Sequence, residues 1–205
     1  MVDSTPMFKP KFTPVDRNTW KQLEDGLPPS LFQKNRKRFF DLFSQKVKTE
    51  DGDFALFKGA SEVPIYSSDI CYPEYQEAYF YYLTGVVEMD CYLVADLHNK
   101  KVILFVPQLD NLYKIWMNFI TKEQFAEKYQ MEVRHCHELE DTLASFSGKC
   151  YVNLGVNSDS NLKTDIPEEK YLRNHTVDKE TMHDILAESR VIKNDEEILA
   201  MRWAS

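Results

Sequence analysis

Two apolar, β-rich runs, CYLVADL at 91–97 and KVILFV at 101–106, stand three residues apart, joined by His98-Asn99-Lys100. No other feature restricts the fold as much. A parallel pair needs a crossover of a dozen or more residues, so a short polar turn containing Asn makes these strands antiparallel neighbours. Pro107 brings no amide hydrogen to a ladder and stops the second strand. Around this hairpin, further short apolar runs alternate with segments of helical period. Strands are predicted at 53–58 (DFALFK, ended by Gly59), at 78–84 (AYFYYLT, aromatic-rich and closed by Gly85), at 131–133 and at 150–154. Helices are predicted at 31–47, with Ser30 as N-cap after Pro28-Pro29, and at 109–129 in two pieces meeting near Thr121. Others are predicted at 138–146, from an Asp178 cap to about Ala187, and from Asn194 onward. Thr121-x-x-Gln124 and Asn194-x-x-Glu197 both fit a capping box. Residues 60–76 and 155–170 read as irregular loops. Strands mixed with helices need their apolar faces covered, so the fold class is α/β, a mixed β-sheet flanked by helices.

Five prolines in the first 29 residues argue for an extended N-terminal arm over 1–30. The helix opening at Asn194 carries Ile198, Met201 and Trp203 and meets no stop signal before Ser205, so the polypeptide is expected to continue. A chain of 205 residues hides roughly 70% of its unfolded surface on folding, and 13 Phe, 11 Tyr and 3 Trp need such an interior. No apolar run approaches membrane-spanning length, and the first 16 residues hold no secretory h-region. Cys71, Cys91, Cys136 and Cys150 lie far apart with no CxxC pair, which fits free thiols in a reducing compartment; the expected location is the cytoplasm. The sequon at Asn174-His175-Thr176 is idle there. Twenty-five basic against 33 acidic residues give a net charge of −8, which repels a phosphate backbone and argues against nucleic acid as a partner. The one dense basic stretch, Lys34-Asn35-Arg36-Lys37-Arg38, lies between Leu31-Phe32 and Phe39-Phe40 and reads as the wet face of an amphipathic helix.

Motifs for chemistry are incomplete. His135-Cys136-His137 puts two imidazoles on one face of a strand, but no CxxC or HxxxH lies nearby to complete a metal cage. GxSxG and GxxxxGK[ST] are both absent, and six glycines leave little material for a phosphate-cradling loop. Glu196-Glu197 and Glu138-x-Glu140-Asp141 read as solvated helix carboxylates. Trp116, in LDNLYKIWMNF after Pro107, reads either as core or as a contact residue, since Trp is costly to expose and enriched at interfaces and pockets. No catalytic residue and no metal ligand is assigned within this chain.

An ordered set of short motifs goes further. Tyr75-Gln76-Glu77 precedes Phe80-Tyr81-Tyr82-Leu83-Thr84-Gly85, Glu88 and Cys91-Tyr92. Leu104-Phe105-Val106-Pro107, Trp116, Gly155-Val156-Asn157-Ser158-Asp159 and Arg190-Val191-Ile192-Lys193 with Glu196-Glu197 follow in order. Over about residues 31–205 this resembles the N-terminal, non-catalytic domain of Xaa-Pro dipeptidases (prolidases), in the group with aminopeptidase P and creatinase. Tyr72-Pro73-Glu74 departs from that pattern. The resemblance implies a prolidase-like N-terminal domain over 31–189, with 190–205 as linker and start of a catalytic "pita-bread" domain that is absent here. That domain would hold two divalent metals, usually manganese, on two Asp, one His and two Glu beyond Ser205. The fragment alone is then expected to be inactive. The resemblance also implies a homodimer in which one subunit's N-terminal domain overhangs the other's active site, with Trp116 lining the partner's Xaa-Pro dipeptide pocket. The alternative is a peptidase-like protein-binding module without catalysis, for which the peptidase-like domain of a histone chaperone is a precedent.

Overall fold

The computed structural model describes residues 26–73, 75–115 and 118–205. The expected extended arm lies almost wholly outside the described residues, as does Trp116. Among the described residues the chain runs α1 (Pro29–Lys46), β1 (Phe54–Lys58), α2 (Ala78–Thr84), β2 (Tyr92–Asp96) and β3 (Lys101–Val106). It continues through a 3-10 turn at Asn111–Ile115, α3 (Lys122–Tyr129), β4 (Glu132–His135), a 3-10 turn at Cys136–Glu138, α4 (Leu139–Ala144) and β5 (Cys150–Val152). It closes with α5 (Glu169–Leu172), β6 (Val177–Asp178), α6 (Thr181–Ser189) and α7 (Asp195–Ala204).

One six-stranded sheet has the order β4-β3-β2-β1-β5-β6. The hairpin forms as the sequence requires: β2 and β3 are antiparallel from Tyr92↔Phe105 to Asp96↔Lys101. In the turn, Asp96 accepts from the Asn99 amide, and Lys100 takes a positive φ of 55°. β1 is antiparallel to β2 but parallel to β5, while β3 is parallel to β4 and β5 to β6, so the sheet is mixed. Side chains alternate between the faces. Ala55, Phe57, Leu93, Ala95, Leu104 and Val106 pack with Phe39 and Phe43 of α1, Phe80 and Leu83 of α2, Phe125 of α3 and Ile185 of α6. Phe54, Leu56, Val94, Phe105 and Val152 pack on the other side with Leu139 and Leu143 of α4 and Tyr171 and Leu172 of α5. Helices therefore cover both faces.

Three local expectations change. Residues 78–84 form helix α2, not a strand. The Glu77 carboxylate accepts from the amides of Tyr79 and Phe80, and Gly85 closes the helix in the left-handed region at φ 73°. Both flanks of β1 are already taken by β2 and β5, leaving no place beside it for another strand. Ser30 is not the N-cap of α1. Pro28 holds that position with no side-chain cap, and the Ser30 hydroxyl donates instead to Glu196, 3.0 Å away. The basic stretch of α1 is only partly solvated: Asn35 is 2% and Arg36 7% exposed. Asn35 Nδ2 donates to Tyr82 O and Arg36 Nη1 to Leu83 O, satisfying carbonyls of the last turn of α2. The negative end of the α2 dipole favours the buried guanidinium, although burial lowers its pKa to about 10.

Candidate functional site

The strand directions gather the connections of interest at one end of the sheet. Since β1, β3, β4 and β5 are all parallel to one another, their carboxyl ends share that edge with the amino end of β2. In open α/β sheets this is the end at which binding sites usually lie. The loops 59–77, 85–91, 107–121 and 153–168 all issue there. Most of the exposed large apolar side chains among the described residues sit on these loops. Tyr66 is 93% and Tyr75 90% exposed, and Ile70, Val87, Leu112, Ile115 and Leu162 are exposed beside them in sequence or on the neighbouring loops. Apolar side chains gathered on one end of a domain in this way are the kind of surface on which partners dock. The other exposed apolar side chains lie on Val191-Ile192 and α7.

The loops are tied by a short polar chain. Gln76 Oε1 accepts from the amides of Ala60 (2.6 Å) and Glu77 (3.0 Å), while its Nε2 donates to Glu88 O at 2.9 Å. One side-chain amide thus joins the first loop, the cap of α2 and the loop leading into β2. The Glu88 carboxylate receives Lys128 Nζ at 2.9 Å and the Tyr129 hydroxyl at 2.5 Å. Burial, and then the Glu88 carboxylate, push the Tyr129 phenol well above its ordinary pKa. Through α3 this network anchors the far end of segment 107–121. The Thr121 hydroxyl accepts from the Gln124 amide and the Gln124 side chain accepts from the Thr121 amide, so the capping box read from sequence is present. At the near end, Asp110 fixes the turn by accepting from the Leu112 and Tyr113 amides. On the next loop, Gly155 lies so close to the His183 ring that a Cβ would stand 2.2 Å from its Cε1. His183 Nδ1 in turn pairs with Asn153 Oδ1 at 3.1 Å.

Trp116 falls within segment 107–121 but outside the described residues, so its flanks alone can be placed. Gln76 and Glu88, quoted above only for resemblance, prove to be the junction that organises the loops. Nothing in their local sequence shows this, since apart from the adjacent Glu77 amide their partners lie 12 to 41 residues away. His135-Cys136-His137 does not continue a strand: β4 stops at His135, and the two rings stack with centroids 5.6 Å apart. Among the described residues no group of three or more His, Cys, Asp and Glu could hold a metal ion. Cys91 and Cys150 are buried, and burial pushes the Cys150 thiol up to about 12. No helix among the described residues is long and apolar enough to cross a membrane.

The comparisons with known proteins agree with this architecture. Rat Xaa-Pro dipeptidase (Rattus norvegicus) is 31% identical over 182 residues, and the human enzyme of that name (Homo sapiens) 30%. In each case the match covers 87% of this chain and 37% of the relative, so the chain spans little more than a third of those proteins' length. Among solved structures, Escherichia coli aminopeptidase P in its low-pH form superposes with a TM-score of 0.65 at 20% identity, over 86% of this chain and 42% of that one; this likeness speaks for the fold alone. The family described as aminopeptidase P, N-terminal domain, matches residues 32–152. The chain belongs to the aminopeptidase P N-terminal domain family, in the prolidase and aminopeptidase P group.

Proposed function

We propose that this chain is the non-catalytic N-terminal domain of a manganese-dependent Xaa-Pro dipeptidase, and that its loop end pairs with a second subunit and closes that subunit's dipeptide pocket. One observation carries the reading: exposed apolar side chains gather at the loop end, on connections that include the segment bearing Trp116. Covering such a surface removes apolar area from water at about 25 cal/mol per Å². A wall supplied across a subunit interface would exclude water and limit the length of peptide admitted. Residues 31–189 form the body of the domain and 190–205 lead into the metallopeptidase domain. Two divalent ions held there, on groups outside this chain, would activate a water and polarise the scissile carbonyl before proline. The free thiols of Cys91, Cys136 and Cys150 support a reducing, cytoplasmic setting.

The test is Trp116→Ala in the intact enzyme. Raised KM for Xaa-Pro dipeptides and weaker discrimination against tripeptides are expected. Unchanged kinetics toward both would contradict the role, and Xaa-Pro hydrolysis by the isolated 205 residues would contradict the assignment of the chemistry elsewhere.

A further inference from the structure

The most continuous polar network outside the loop end joins α1 to the last sixteen residues. Along α1, Ser30, Lys34, Asn35 and Arg38 recur at helical spacing and form one stripe. Ser30 Oγ donates to Glu196 Oε1 at 3.0 Å, and Lys34 Nζ pairs with the same oxygen at 2.9 Å. Arg38 Nη1 donates to Ile192 O at 2.5 Å. At the centre, Asn35 Oδ1 accepts from Asn194 Nδ2 at 2.9 Å, while Asn35 Nδ2 donates to Tyr82 O. Asn194 divides its amide between two tasks. Its oxygen accepts from the Glu197 amide and caps α7, and its nitrogen reaches α1. The preceding turn is fixed as well: the Tyr82 hydroxyl donates to Ser189 O at 2.8 Å, and the Arg190 guanidinium lies 4.9 Å over the Tyr79 ring.

We infer that Asn35 is a positioning residue which, through the Asn194 amide, fixes the direction of α7, making residues 190–205 a rigid arm of this domain. A buried Asn at an otherwise apolar helix position is a costly choice unless both ends of its amide are used. Here both are used, one on α2 and one on the arm. The Ser30 bond to Glu196 is part-buried like the Asn35–Asn194 bond, while the Lys34 ion pair and the Arg38 bond to Ile192 are more exposed, and none of the three involves a fully buried residue of α1. The Asn35–Asn194 bond sets the register of the stripe because it alone combines a fully buried partner with a helix cap. Any polypeptide that follows α7 is aimed by it, whatever its activity.

Asn194→Ser separates the two tasks, since Ser remains a good N-cap but cannot reach Asn35. Amide hydrogen exchange on the full chain is the readout. The expected result is about five- to tenfold faster exchange at 198–202 with the sheet and α1 unchanged, the size set by losing one part-buried hydrogen bond to a buried partner. Asn194→Asp retains the cap and sets a carboxylate against Asn35 Oδ1, so it should release α7 further than Ser does. Exchange at 198–202 within twofold of the unaltered chain in both variants would overturn the inference. So would acceleration spread evenly over the whole domain, which would indicate a general loss of stability.

Discussion

Tyr129→Phe removes one oxygen from the loop-end network and changes almost nothing else. The ring stays, so no cavity forms. The lost bond is short, 2.5 Å to Glu88 Oε2, and charge-assisted. A hydrogen bond to a charged group contributes about 1.5–3 kcal/mol to stability. The Glu88 side chain is 30% exposed and retains Lys128, so water can partly replace the phenol. The expected loss is therefore nearer 1–2 kcal/mol by that scale. For a domain of this size it lowers Tm by about 3–6 °C. Urea unfolding and a thermal scan measure the loss, and a double-mutant cycle with Glu88→Gln isolates the pair. A coupling of about 1 kcal/mol is expected, along with faster amide exchange at 86–90. A Tm within 1 °C of the parent, with additive single effects, would refute the claim that Glu88 and Tyr129 tie the loops together.

Three further outcomes follow from the same geometry. Gly85→Ala should cost about 2–4 kcal/mol, because φ is 73° and the new methyl would meet the Phe32 ring at 2.3 Å; denaturant titration reads it. Burial alone would raise the Asp178 carboxyl, but bonds from Thr181 and Glu180 outweigh it and hold its pKa below the ordinary Asp value. Its contribution is thus present above the unfolded pKa of about 4 and is lost as pH falls through the lower folded value. Asp178→Ala should therefore cost about 1 kcal/mol at pH 7, with the two stability curves converging below pH ~4. Thr121→Ala should free the start of α3, costing about 1 kcal/mol and raising exchange near 121–125 while leaving α1 untouched.

The elements that sequence located best are those whose signal is local. The hairpin turn and both capping boxes depend on residues within four positions of one another, and each stands where its spacing placed it. Asp178 does accept from the Glu180 and Thr181 amides at the start of α6, but it ends β6, and Glu180 holds the position directly before the helix. AYFYYLT at 78–84 misled because seven aromatic-rich residues fit a strand as well as a helix. The deciding groups, the Glu77 cap and left-handed Gly85, flank the run. Asn35 and Arg36 looked solvated because their partners are carbonyls of α2 and an amide 159 residues away, which no window along the chain reveals. The one local hint was an Asn where the period of α1 asks for an apolar residue. Motif order pointed to the family, but not to the gathering of loops, which follows from strand direction.

Complementation in the intact enzyme tests the central claim most directly. One subunit would carry Trp116→Ala with a working metal centre, and the other would keep Trp116 with its metal centre inactivated. If the loop end closes the pocket of the other subunit, the mixed dimer should recover near-normal KM for Xaa-Pro dipeptides at the one working site, whereas the Trp116→Ala homodimer should not. A mixed dimer as impaired as that homodimer, or a protein that never pairs, would contradict it.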